Sequence, residues 1–284
     1  MSADEYRAAS HAQWEGAAEA WERNAERLDA GGGAGRAAEW VLEAAGLEAG
    51  ADVLELACGP AGVGLAAAER VGRGGHVLCT DFAAPMVEAA ARRAQERGLD
   101  NVDARVLDAE RMELPDGTFD AVICRFGYML MADPPAALAE TRRVLAPGGR
   151  VALAVWAEAD ANPWIGSFMR PIMEHFDAPP PAPGAPGIFS LADADRLTGM
   201  LRDAGFDDVH SERLEAVERH ASADAWWAFT YEMTAPLRGL LDSMGDEDRE
   251  AVRARAYEAA AAFADGDTLA LPSAVRVASA RRAG

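Results

Sequence analysis

Three carboxylates and a cluster of glycines stand at spacings suited to holding a small molecule. Val53-Leu54-Glu55-Leu56-Ala57-Cys58-Gly59-Pro60-Ala61-Gly62-Val63-Gly64 is an apolar run that enters a glycine-rich turn and leaves it as a helix. Glycine lacks a Cβ, so such a turn admits a ligand close to the backbone, and the helix beyond it presents free N–H groups. Ala57, Gly59 and Gly62 occupy the three glycine spacings of the dinucleotide fingerprint, with the first glycine replaced. The turn alone therefore fits a dinucleotide or another ligand equally. Glu55, just ahead of it, is expected to face the pocket, where a carboxylate suits a cationic amino-acid group and repels a pyrophosphate. Asp81 closes the next apolar run, Val77-Leu78-Cys79-Thr80, and can accept hydrogen bonds from both hydroxyls of a ribose. Asp108 follows Val106-Leu107, placed to receive an adenine amino group, to cap the turn after it, or both. Its neighbour Ala109, and Phe82, would pack on the ring faces.

The elements that must position these residues follow a regular rhythm. Apolar runs at 53–57, 77–81, 103–107, 120–125 and 150–156 alternate with helix-like stretches, the signature of βαβ units and a parallel sheet. Residues 4–29, rich in Ala and Glu and carrying Tyr6, Trp14 and Trp21, read as one or two amphipathic helices ending before Gly31-Gly32-Gly33. Between Asn162 and Gly187 stand Pro163, Pro171, Pro179, Pro180, Pro181, Pro183 and Pro186, which predict a short helix and then a stiff extended loop. Ser190 to Ala204 reads as a helix with Ser190 as N-cap and Gly205 as C-cap, and Phe206 to Leu214 as a strand. Helices over 222–241 and 246–264 precede a last strand at Ala274 to Ala280. The expected division is a helical cap (1–35), an α/β core (36–160), a proline-rich lid (161–190) and the remainder of the core (191–284) with a helical insertion at 215–270.

At 284 residues the chain fits one large α/β domain with an elaborated cap, or one domain plus a small subdomain. A net charge of −20 argues against a nucleic-acid-binding surface, which needs clustered Lys and Arg. Cys58, Cys79 and Cys124 lack the spacing of a zinc site or redox pair, so no metal is expected and a reducing, cytoplasmic setting is. No apolar window is long enough to span a membrane. Nothing in the sequence sets an oligomeric state.

Taken in order, the blocks Glu55 to Gly62, Cys79 to Asp81, Leu107 to Ala109, Phe119 to Gly127 and Arg143 to Arg150 resemble class I S-adenosylmethionine-dependent methyltransferases. More narrowly, they are similar to the type 11 small-molecule group related to ubiquinone and menaquinone biosynthesis methyltransferases. The resemblance implies a doubly wound, seven-stranded, mostly parallel sheet whose last strand is antiparallel, with the cofactor across the C-terminal ends of the first strands. It further implies that Glu55, Ala57 and Gly59 line the methionine part, Asp81 and Phe82 the ribose and adenine, Asp108 and Ala109 the adenine, and Arg125 with Phe126 the floor beneath the sulfonium, with Gly62 and Met86 also among the cofactor-binding residues. Pro60 departs from the family pattern, stiffening the turn and removing one N–H. Two other readings stand beside this one: an NAD-dependent oxidoreductase, which Glu55 and the missing first glycine oppose, and a catalytically silent adenosylmethionine-binding protein.

The implied reaction moves a methyl group to an oxygen or carbon of a mostly apolar small molecule, chiefly by proximity and in-line orientation, so a general base is optional. If one acts, His175 and His220 are the candidates, on the lid and the insertion. Tyr6, Trp21, Trp164, Phe168, Trp226 and Tyr231 are candidates to wall the acceptor pocket, although Trp226 and Trp227 cannot both face it from one helix.

Overall fold

The computed structural model describes residues 2–179, 182 and 184–284. The first segment is helical: α1 (Ala3–Arg23), α2 (Ala25–Ala30) and α3 (Gly32–Ala44). A capping box starts α1, with Glu5 N donating to Ser2 Oγ at 3.2 Å and Ser2 N to Glu5 Oε2 at 2.7 Å, which satisfies two backbone donors that a helix start leaves free. Ser10, Ala17, Ala18 and Ala20 form its buried face, small enough for close helix approach. The core then alternates β1 (Asp52–Leu56), α4 (Gly62–Val71), β2 (His76–Asp81), α5 (Ala84–Glu96), β3 (Val102–Val106), β4 (Phe119–Arg125), α6 (Pro134–Val144) and β5 (Leu145–Trp156). Beyond it lie α7 (Pro163–His175), α8 (Ala194–Asp203), β6 (Phe206–His220), α9 (Ala223–Met233), α10 (Ala235–Asp242), α11 (Asp246–Ala261), β7 (Ala264–Asp265) and β8 (Thr268–Arg282).

The sheet runs β3-β2-β1-β4-β5-β8-β6, with the two-residue β7 paired to β8 as an eighth strand. Pairing from β3 to β5 is parallel, and β8 lies antiparallel between β5 and β6. The doubly wound architecture is thus as expected, with one short strand added. Leu54, Leu56, Ile123, Leu145 and Leu153 are among the largest fully buried side chains, and they sit on the central strands because a parallel sheet covered on both faces has no solvent side. Chain order reverses between β1 and β4: one leads outward to β2 and β3, the other to β5. Their C-terminal ends diverge there and leave the crevice in which such sheets hold ligands.

Three expectations about the periphery need correction. The helix after the proline-rich segment starts at Ala194, and its N-cap is Asp193, whose Oδ1 accepts from Arg196 N at 2.7 Å. Ser190 instead donates to Met129 O. The strand from Phe206 continues to His220 and the last strand begins at Thr268, so the insertion placed at 215–270 is confined to the segment between them. The cap is not a unit ending at residue 35, since α3 continues to Ala44. The stiff loop expected around Pro180, Pro181 and Pro183 lies outside the described residues. Among the described residues no helix is long and apolar enough to cross a membrane.

Candidate functional site

The turn after β1 is wound tightly. Ala57, Gly59 and Ala61 take φ angles of 49°, 52° and 58°, so Ala57, where the fingerprint has its first glycine, keeps the glycine conformation despite its Cβ. Gly62 and Gly64 meet a different demand. A Cβ on Gly62 would lie 1.8 Å from Asp29 Oδ1, and one on Gly64 would lie 2.3 Å from Glu55 Oε2 and 2.5 Å from Cys79 Sγ.

Glu55 does not face the crevice as a free charge. It is 2 % exposed and accepts a 3.0 Å hydrogen bond from Gly64 N, bracing the first turn of α4 from beneath. Burial pushes its carboxyl up to about 8, against the pull of nearby Arg125. The charge argument against a pyrophosphate therefore loses its force, and the contribution of Glu55 is to turn geometry. Because the folded chain keeps a proton that an unfolded carboxyl releases near 4.5, this group's contribution to stability declines as pH rises from there through about 8. Glu55→Gln is expected to flatten that decline in thermal melts across the window, and parallel profiles for the two proteins would contradict this.

Asp81 sits at the end of β2, 7 % exposed, with Oδ2 accepting from Gly59 N and Oδ1 from Ala83 N, both at 3.0 Å. Burial raises its carboxyl while those backbone donors oppose the rise. Each oxygen keeps a further acceptor position, so a ribose fits without breaking either bond. Asp108 Oδ1 accepts from Glu110 N at 2.9 Å, the turn-capping role, and Asp108 also lines a cavity of about 300 Å³ with Val106 and Arg111. Phe126, just past β4, has φ of 63° and stacks on Trp156 at 4.3 Å and 8°. The Arg125 guanidinium reaches α2 and the first turn of α3, donating to Leu28 O, Ala34 O and Asp29 Oδ1 at 3.1–3.3 Å.

Most of what covers this crevice is α1. Tyr6 donates to Leu130 O at 2.9 Å, Arg7 Nε to Glu110 Oε2 at 2.9 Å, and His11 Nε2 lies 3.1 Å from Phe82 O with its ring edge-on to Phe82. Trp21 lies over Gly59, packed in a small cluster with Ala17, Ala18, Ala83 and buried Met86. Glu22 holds Arg92 of α5 through two hydrogen bonds. The helix thus spans the ends of β3, β2 and β1. A larger open cavity of about 760 Å³ lies outside this roof, between α3 and α4, and includes Asp29, Arg36, Gly62 and Arg70.

The structure brings the candidates for the cofactor together around the C-terminal ends of β1, β2, β3 and β4. It scatters those for the acceptor. Tyr6 and Trp21 belong to the roof. Trp164 packs on Trp156 at 4.9 Å, close behind Phe126. Phe168 and Trp226 are fully buried, fastening α7 to the insertion, with Trp226 Nε1 donating to Trp164 O at 2.8 Å. Tyr231 donates to Asp242 within the insertion. His175 ends α7 beside Phe176. His220 is buried, with Nδ1 2.8 Å from Arg27 Nη2, and burial together with Arg27 drives it down to about 4, so it is neutral near pH 7. His220 is therefore no poised base. Asp29, Arg93 and His11, which shape the crevice, escaped sequence reasoning because their partners are distant in the chain.

The residues fit the adenosyl cofactor that the motifs imply. The glycine cradle has no room for side chains at Gly62 and Gly64, Asp81 has spare acceptor capacity, and the buried indole N–H of Trp21, whose benzo edge lies over Gly59, has no acceptor among the described residues. Comparison with known proteins agrees. Residues 53–149 match the model of a methyltransferase domain. A nocamycin O-methyltransferase of Saccharothrix syringae is 34% identical over 76% of this chain and 80% of its own length. A ubiquinone/menaquinone biosynthesis C-methyltransferase of Bordetella parapertussis is 34% identical over 62% of this chain and 71% of its own. In fold the chain is similar to phosphoethanolamine N-methyltransferase 2 of Haemonchus contortus, solved with phosphomonomethylethanolamine and S-adenosylhomocysteine, at a TM-score of 0.59 and 15% identity over 95% of this chain and 58% of that one. The NAD-dependent alternative finds no support in these relatives.

Proposed function

Because the chain belongs to the class I S-adenosylmethionine-dependent methyltransferases, we propose that it methylates an oxygen or carbon of a mostly apolar small molecule, in the cytoplasm, chiefly by positioning. The observation that carries the acceptor class is the flat stack of Phe126 on Trp156, backed by Trp164, at the ends of β4 and β5. Aromatic faces there suit a planar apolar acceptor. The two relatives named for O- and C-methylation support the same class.

When bound, the cofactor supplies an electrophilic methyl group on a sulfonium. The chain's own part is orientation. Asp81 takes the ribose hydroxyls, Phe82 and Ala109 the faces of the adenine, and Asp108 its amino group. The turn from Ala57 to Gly62 holds the amino-acid end, and α1 excludes water over all of them, which strengthens each polar contact. With His220 neutral, no side chain of this site is assigned as a base. The net charge of −20 and the three buried thiols support a small-molecule acceptor and a reducing compartment over a nucleic-acid substrate.

The test is incubation with adenosylmethionine and a panel of phenols, quinols and enolisable ketones, reading S-adenosylhomocysteine release and the mass of the acceptor. Turnover with at least one planar apolar acceptor is expected. Turnover confined to RNA or protein acceptors would overturn the reading.

A further inference from the structure

At the N-terminus of α4 the structure holds an ion cluster that neither the motifs nor the relatives account for. Asp29 Oδ2 lies 2.9 Å from Arg93 Nη2, and Asp29 Oδ1 lies 3.1 Å from Arg125 Nη2. The side chains of both arginines are nearly buried, 9% and 11% exposed. Arg93 is fixed further by a 2.5 Å bond to Pro60 O, inside the glycine turn. The residue preceding the helix, Ala61, offers no side-chain cap. The Asp29 carboxylate lies against this helix start, bonded to the two arginines, and a Cβ on Gly62 would stand 1.8 Å from its Oδ1. Two buried guanidiniums and a helix N-terminus make a strongly anion-seeking point, and a buried guanidinium without a counterion is costly. Asp29 arrives from α2, part of the cap, rather than from the core that builds the turn.

We propose that Arg93, Arg125 and the start of α4 form the seat for the α-carboxylate of the bound cofactor, and that Asp29 occupies this seat in the free protein as an internal surrogate that the cofactor displaces. The inference rests on the adenosylmethionine reading of the site. It adds Arg93, which no motif marks, as a binding residue. It also makes cofactor entry compete with a contact that holds the cap closed, because Arg125 grips Leu28 and Ala34 on either side of Asp29. A seat occupied by a surrogate lowers apparent affinity by the fraction of molecules in which it is free.

The test is calorimetric titration of the full chain with two ligands, S-adenosylhomocysteine and 5′-methylthioadenosine, which share adenine, ribose and thioether and differ in the amino-acid carboxylate. Asp29→Asn, of equal size, is expected to tighten S-adenosylhomocysteine about tenfold and to leave 5′-methylthioadenosine within about threefold. Arg93→Gln is expected to weaken S-adenosylhomocysteine about tenfold or more and to spare 5′-methylthioadenosine, with circular dichroism checking that both variants fold. If Asp29→Asn weakens S-adenosylhomocysteine, Asp29 is itself a ligand, and if it tightens both ligands alike, the cap opens without competition for a carboxylate. Either result overturns the surrogate while leaving the cofactor assignment intact. A wild-type chain that binds neither ligand overturns both.

Discussion

Asp81→Ala is expected to weaken S-adenosylhomocysteine by about 1–3 kcal/mol, roughly ten- to hundredfold in Kd. Two losses add. The ribose hydroxyls lose a buried carboxylate acceptor, and Gly59 N, which donates to Asp81 at 3.0 Å, loses the contact that fixes the turn over which the ligand lies. Asp81→Asn keeps one oxygen and the side-chain volume, so it should fall between the wild type and Asp81→Ala. Calorimetric titration of the three proteins checks the order. An Asp81→Ala chain that binds with unchanged affinity would show that the ribose does not lie at the end of β2.

Trp226→Ala is expected to cost about 3–5 kcal/mol of folding stability, a large share of the roughly 5–15 kcal/mol that holds a domain together. Trp226 is 0% exposed, lies edge-on to Phe168 and donates to Trp164 O, so truncation opens a cavity and removes a buried hydrogen bond. Trp226→Phe, which fills much of the space but makes no hydrogen bond, should cost less than half as much. Denaturant unfolding measures both. The affinity of Trp226→Ala for S-adenosylhomocysteine, measured where it is folded, should match the wild type, because the side chain fastens the insertion to α7 and touches none of the cofactor residues. A loss under about 1 kcal/mol would contradict this packing role.

What was legible in the sequence follows from the range of the interactions involved. The runs at 53–57, 77–81, 120–125 and 150–156 each fall on a strand because a strand buried on both faces must be apolar throughout, while 103–107 falls on the partly exposed edge strand β3, held by its parallel pairing with β2. The outer strand β6 was read short. Beyond Leu214 it alternates charged and apolar residues through Glu215, Val217, Glu218 and Arg219, the pattern of a half-exposed edge, and only its pairing with β8 carries it to His220. Ser190 and Asp193 are both good cap residues, and local preference could not rank them. Within the site, Asp81 was recognisable because it ends a strand, as every residue in that role must. Glu55 was found for the wrong reason. Its place in the pattern marked it, while its burial beneath Gly64 depends on how α4 packs. Asp29 and Arg93 were invisible, since Asp29 precedes the turn at Ala57 by 28 residues and Arg93 sits in Ala-Arg-Arg-Ala-Gln-Glu-Arg, where nothing separates it from the solvent-facing arginine beside it. The aromatic candidates failed similarly, because tryptophan serves core and pocket alike and only three-dimensional placement tells which.

The proposed site holds one ligand across Ala57 to Gly62, Asp81 and Asp108, beneath α1. Its most direct test is calorimetric titration of the wild-type chain with S-adenosylhomocysteine and, separately, with NADH. The prediction is a single site for S-adenosylhomocysteine in the micromolar range, about −7 to −8 kcal/mol, and no heat of binding for NADH. Binding of NADH with none of S-adenosylhomocysteine would contradict it.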